Sequence, residues 1–151
     1  MRLTKQTNYG IRIAMYCAAN PEPLSQVRDI AKSYGVSELF LFKITKVLVD
    51  AGIIRTVRGR NGGLQLARPA EDISLFEIVR ATEDSFSMAE CFDDRGDAEC
   101  PLVDACGLNA TLRKALNAFF GELMAVSVAD LIENRAFVRG RLGLAQTASL
   151  A

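Results

Sequence analysis

Residues 25–67 read SQVRDIAKSYGVSELFLFKITKVLVDAGIIRTVRGRNGGLQLA. Ser25 is a capping residue, and Val27, Ile30 and Ala31 follow it at helical spacing, so a short helix begins here. Gly35 ends that helix within Tyr34-Gly35-Val36. Ser37 caps the next one, whose inward stripe is Phe40, Leu41, Ile44, Val47 and Leu48, and Ala51-Gly52 closes it. Two short helices joined by a glycine-bearing corner are the pattern of a helix-turn-helix. Ile53 to Arg58 and Leu64 to Ala67 are then β-prone runs separated by Gly59-Arg60-Asn61-Gly62-Gly63, which predicts a β-hairpin. A helix-turn-helix followed at once by a basic, glycine-tipped hairpin predicts a winged helix-turn-helix.

On the N-terminal side, Tyr9, Ile13, Tyr16 and Cys17 recur at helical spacing and predict a first helix over 4–19, stopped by Asn20-Pro21-Glu22-Pro23. On the C-terminal side, Pro69 breaks the chain and Ser74 to Glu83 predicts a further helix with Leu75, Ile78 and Val79 inward. Residues 84–106 read as irregular and acidic. Leu108, Leu112, Ala115, Leu116, Phe119, Leu123 and Met124 then mark one stripe of a helix of about 20 residues. A short helix around 128–134 and a frayed tail complete the expectation. The fold class is mainly α with a small β-hairpin wing, a winged helix-turn-helix plus a long dimerisation helix. The expected units are a DNA-binding domain at 1–83, a cysteine-bearing loop at 84–106, a dimerisation region at 107–135 and a flexible tail at 136–151.

The 151 residues suit one domain plus a dimerisation element, and 50% of them are hydrophobic, enough for a core. No stretch reaches the roughly 20 apolar residues of a membrane span, and no signal-peptide core follows the basic N-terminus. The expected compartment is the cytoplasm, with thiols reduced. Net charge is zero but unevenly placed. Residues 1–70 hold eleven Lys and Arg against four Asp and Glu, a balance of +7, and residues 71–151 hold seven against fourteen, a balance of −7. A basic half beside an acidic half fits a chain with one surface for a polyanion. Helix three offers Ser37, Phe40, Lys43 and Lys46 near the part of a recognition helix that meets DNA. The hairpin offers Arg58, Gly59 and Arg60 to a narrow groove, and Arg2 and Lys5 add charge ahead of the first helix.

Three of the four cysteines follow the spacing Cys91-x8-Cys100-x5-Cys106, and the chain has no histidine. Mixed Cys/His zinc sites are thereby excluded, and a four-cysteine site would need Cys17, which sits on the apolar face of the first helix. Three thiolates suit an iron–sulfur cluster; spacing alone leaves a redox disulfide or incidental thiols open. Glu90, Asp93, Asp94, Asp97, Glu99 and Asp104 surround these cysteines, and such acidity disfavours further negative charge on a bound cluster. A thiol-redox enzyme would call for a Cys-x-x-Cys motif, a histidine base or a cofactor-binding glycine pattern, and none occurs. No enzymatic activity and no small-molecule substrate are expected.

Met1 to Lys5, the run Thr56-Val57-Arg58-Gly59-Arg60-Asn61-Gly62-Gly63, and three cysteines ahead of a long helix together resemble one bacterial family. It is the family of iron–sulfur winged helix-turn-helix regulators that contains IscR and NsrR, and the likeness covers roughly residues 1–135. Glu90-Cys91-Phe92, Glu99 to Leu108, Ser37 to Lys43 and Ala115 to Phe120 are most similar to its rhizobial iron-regulator branch. The resemblance implies a homodimer joined through the helix after Cys106. It implies a 4Fe–4S cluster on Cys91, Cys100 and Cys106, with a 2Fe–2S form as a degraded or alternative state. It implies operator DNA as partner and repression of iron-uptake genes while the cluster is present; a nitric-oxide or redox sensor of the same family is the alternative. Two positions depart from the family pattern: the fourth-ligand aspartate and histidine used by other members fall here on Asn8 and Asn109.

Overall fold

The computed structural model describes residues 2–89, 92, 101 and 106–144. Six α-helices and one hairpin are present among them: α1 (Lys5–Ala19), α2 (Val27–Tyr34), α3 (Glu38–Asp50), β1 (Ile54–Val57), β2 (Gly63–Leu66), α4 (Leu75–Thr82), α5 (Gly107–Ala125) and α6 (Arg135–Arg141), with 3-10 turns at Ala70–Asp72 and Asp130–Ile132. The mainly α, winged helix-turn-helix class read from the sequence is what forms.

Local chemistry sets the boundaries. Thr4 caps α1 by accepting from the Thr7 N–H, and Ser37 caps α3 by accepting from the Phe40 N–H. Gly35 ends α2 at φ +65°, a left-handed conformation that costs a side-chain-bearing residue, and its neighbour's N–H (Val36) donates back to the Ala31 carbonyl at 3.0 Å. Ser74 and Glu77 form a reciprocal capping box at the start of α4. The core gathers Ile13 and Ala14 of α1, Ile30 of α2, Leu41, Ile44 and Leu48 of α3, Ile54 and Leu64 of the wing, and Ile78 of α4, all buried. Each comes from the apolar stripe of its element, so α1 is wrapped by the helix-turn-helix on one side and α4 on the other.

The wing is an antiparallel pair with Ile54 opposite Leu66 and Val57 opposite Gly63. It is not an isolated hairpin. Ser25 and Leu64 exchange backbone hydrogen bonds at 3.0 and 2.7 Å, and the Gln26 side-chain amide donates to the Gly62 carbonyl. The segment leading into α2 thus adds a single antiparallel bridge to the hairpin. Gly63 makes this approach possible: a Cβ there would lie 2.8 Å from the Ser25 carbonyl oxygen and 2.9 Å from Leu24 Cβ.

Helix α5, about 28 Å long, has no buried residue within the chain. It leans on α4 through Phe120, whose ring meets Phe76 at 5.1 Å and Phe86 at 4.9 Å edge-on. Its end is fastened to the segment ahead of α4, because Leu75 N–H donates to the Val126 carbonyl at 2.8 Å and Val128 N–H to that of Ile73 at 2.9 Å.

The C-terminal part differs from the sequence expectation. Residues 128–134 hold only a 3-10 turn, and the α-helix starts after Asn134, which caps α6 by accepting from the Phe137 N–H. The expected flexible tail from 136 is helical to Arg141. Buried Arg139 donates to the Ala19 carbonyl at 2.5 Å, closing the C-terminal end of α1. A guanidinium reaching a helix-end carbonyl offsets its own burial and satisfies an orphan acceptor. Residues 145–151 of that tail lie outside the described residues. Among the described residues, no helix is long and apolar enough to cross a membrane.

Candidate nucleic-acid interface

Inward on α3 lie Leu41, Ile44, Thr45 and Leu48. That leaves Leu39, Phe42, Lys43 and Lys46 as one outward stripe at i, i+3, i+4 and i+7, all exposed. Lys43 and Lys46 therefore project into solvent. Ser37 is exposed at the N-cap, with its oxygen engaged by the Phe40 N–H at 3.3 Å. Phe40 is placed differently from the other candidates. It is half-buried, packs on the core and meets the Tyr9 ring edge-on at 5.3 Å. That contact fixes the angle between α1 and the start of α3, a positioning task.

Arg58, Gly59 and Arg60 are exposed at the wing tip, where Gly59 has φ +116°. Among the described residues, Lys43, Lys46, Arg58 and Arg60 take part in neither of the two ion pairs, Arg28–Asp29 and Arg68–Glu77. Uncompensated cations on one stripe and one tip favour phosphate. Arg2 and Lys5 are exposed ahead of and at the start of α1. Lys5 lies one turn before Tyr9 on the same face of the helix, and Thr4 N–H donates to Glu83 at 2.7 Å, tying this end to the exit of α4.

The recognition helix and the wing meet in a shallow cleft. Glu38 and Phe42 line it from α3, Thr56 and Val57 from β1, and Gln26 and Arg28 from the start of α2. Sequence reasoning missed Leu39, Phe42 and Val57, which are 69%, 53% and 39% exposed. Their signal was present as apolar residues left over once 41, 44, 45 and 48 are assigned inward.

Of the cysteine trio, Cys91 and Cys100 lie outside the described residues, as do the acidic residues around them. Cys106 occupies the N-cap position of α5, half-exposed, without a side-chain capping bond and outside any disulfide. The first turn of α5 carries no acid. The accessible Cys106 sulfur is the kind of donor that suits a soft metal centre. Cys17 does not: it is buried, and desolvation pushes its thiol up to about 12 against a hydrogen bond with Ser25. The two substituted fourth-ligand positions are engaged otherwise. The Asn8 amide donates to the Thr4 carbonyl at 2.8 Å, and Asn109 Oδ1 accepts from Arg113 Nε at 2.8 Å.

Residues 3–134 match the family model of the Rrf2 iron-dependent transcriptional regulators. The chain belongs to the Rrf2 family. Among the relatives of this Rrf2 regulator, "Protein aau3" of Rhizobium meliloti (strain 1021) is 61% identical over 95% of this chain and 93% of its own length. The HTH-type transcriptional regulator NsrR of Geobacillus kaustophilus is 41% identical over 94% of this chain and 97% of its own. The solved structure of T. potens IscR superposes with a TM-score of 0.70 at 26% identity, covering 97% of this chain and 94% of that one. The chain is accordingly a DNA-binding winged-helix transcriptional regulator and not an enzyme.

Proposed function

We propose that this Rrf2 regulator is an iron-responsive repressor. It binds operator DNA as a homodimer in the cytoplasm while a 4Fe–4S cluster is held by Cys91, Cys100 and Cys106, and it represses iron-uptake genes in that state. The observation that carries this reading is the donor set: three cysteines without histidine, the last of them half-exposed at the N-cap position of α5. When bound to three cysteines, such a cluster supplies one iron with a weak fourth ligand, open to loss, chelation or nitric oxide. The departures at Asn8 and Asn109 support that weakness, because an amide is a poorer iron ligand than a carboxylate or imidazole.

The chain's own residues supply the transmission. The cysteine segment joins α4 to α5, and Phe86, at its start, packs on Phe120 of α5 with Arg80 of α4 over its ring at 5.8 Å. A cluster held by these cysteines would fix α5 against α4, which itself packs on α1 and the recognition helix. The apolar stripe of α5, with Leu108 63% exposed in a single chain, is the surface that a second copy covers. Two recognition helices in a symmetric pair call for a roughly palindromic operator. A population shift of a few kcal/mol between two settings of α5 against α4 is enough for a switch.

A second reading, nitric-oxide sensing, is favoured by the identity to NsrR proteins. The deciding experiment isolates the protein without oxygen, assays iron and acid-labile sulfide, and measures operator shift before and after chelation and after nitric oxide. Release by chelator supports the iron reading, and release by nitric oxide alone supports the second. Protein that contains neither iron nor sulfide overturns both, as does a Cys100→Ala variant that binds as tightly as cluster-loaded protein.

A further inference from the structure

We propose that Leu39 and Phe42 read thymine methyl groups in the major groove, with Val57, at the tip end of β1, extending the same apolar strip toward the wing. The proposal rests on the operator-binding reading and names what that binding recognises. A recognition helix usually shows polar side chains to base edges. Here the outward stripe of α3 begins with two large apolar residues and ends with two lysines. Leu39 is 69% and Phe42 53% exposed, and neither packs on the core, whereas Phe40 between them does. Phe42 and Val57 line one cleft, so the strip runs from the helix toward the wing.

Three features commit the strip to DNA bases. Its neighbours Lys43, Lys46 and Arg58 are cations without ion-pair partners among the described residues, which suits a polyanion on both flanks. Glu38, on the same cleft, would be repelled by phosphate, so this part of the surface faces base edges, where cytosine amino groups donate. The order along α3 also fits: the N-terminal half of a recognition helix enters the groove, and Lys43 and Lys46, one and four residues after Phe42, reach the backbone. The thymine 5-methyl is the only apolar group that the major-groove edge offers, and covering it removes apolar surface from water on both partners.

The test starts from a randomised duplex pool, from which protein isolated without oxygen selects its own site. Each thymine of the selected half-site is then exchanged in turn for deoxyuridine. That exchange deletes one methyl and leaves every hydrogen-bonding group in place. The expected result is a loss of roughly fourfold in wild-type affinity for each methyl covered. Leu39→Ala or Phe42→Ala should bind the thymine duplex correspondingly weakly and show no further loss with uracil at the matching position. Phe42→Leu should keep the methyl effect, which also shows that the helix is intact, and Lys46→Ala should weaken both duplexes equally.

Tight selected binding that is indifferent to uracil at every position overturns the proposal while leaving operator binding standing. So does an alanine pair that binds the thymine duplex like wild type, which would return the strip to a protein partner. Failure to select any duplex sinks the operator reading itself.

Discussion

Cys17 lies between α1 and the Ser25 segment with its thiol pushed up to about 12, chiefly by burial, while Cys106 stands half-exposed at the head of α5. The thiolate is the reactive form, so the two should part company with a soft alkylating agent. In metal-free folded protein at neutral pH, iodoacetamide should label Cys106 and leave Cys17 untouched until denaturant is added, as peptide mass spectrometry will show. Early labelling of Cys17 would contradict its place in the core. At the wing tip, Arg58 is an exposed cation without an ion pair among the described residues. Arg58→Ala should weaken operator binding by about 1–3 kcal/mol if the side chain enters a groove, and by less if it meets phosphate alone. Titrating salt separates the two, because a lost phosphate contact reduces the salt slope by about one unit.

At the scale of the element, the wing depends on a junction outside itself. Gly63→Ala would drive a methyl against the Ser25 carbonyl oxygen and Leu24, both backbone-linked and unable to yield easily. It should cost about 1–3 kcal/mol in urea melts and weaken DNA binding by mis-aiming the tip. A variant with unchanged midpoint and affinity would show that the Ser25 bridge is dispensable. Glu77 holds the start of α4. Burial alone would raise its pKa, but hydrogen bonds from Ser74 and Arg68 outweigh it and hold the carboxyl below its ordinary value. Its folded pKa is then lower than its unfolded one, so its contribution is complete above the ordinary carboxylate range and is lost as pH falls through the folded value. Glu77→Ala should lose about 1 kcal/mol at neutral pH, and the difference from wild type should vanish in acid. These elements were legible because their punctuation is local: Gly35, Ser37, Ser74 and the glycines of the wing each act on a neighbour within a few residues. The task of Leu39 and Phe42 was less legible: the stripe through Phe40 and Leu41 leaves them outward, but two large apolar residues on an exposed face have no local partner to say what they meet. Helix α6 escaped for the complementary reason. Arg135, Arg139, Gly140 and Arg141 look solvated, and the bond that docks them, to Ala19, spans 120 positions.

For the whole molecule, the exposed stripe of α5 sets the expectation of pairing. Ala115 is exposed in a single chain and lies in the middle of that stripe, so Ala115→Glu should leave the monomer fold intact and shift sedimentation from dimer toward monomer. Loss of operator affinity should accompany it, since half a palindrome contributes only half the contacts. An undisturbed dimer would place the interface elsewhere. The charge asymmetry belongs to this scale too: the +7 segment holds α3 and the wing, and the −7 segment holds α5. What counting could not supply was the fastening of Ser74 to Ser127, a pairing across fifty-odd positions with no motif to announce it. Its consequence is mechanical. A rod riveted at its tail can only pivot about that rivet, and with an arm of about 28 Å a swing of about 10° carries Cys106 through about 5 Å. Chain length should therefore be strictly fixed just past Ala125, where even one added residue would pull the rivet out of register.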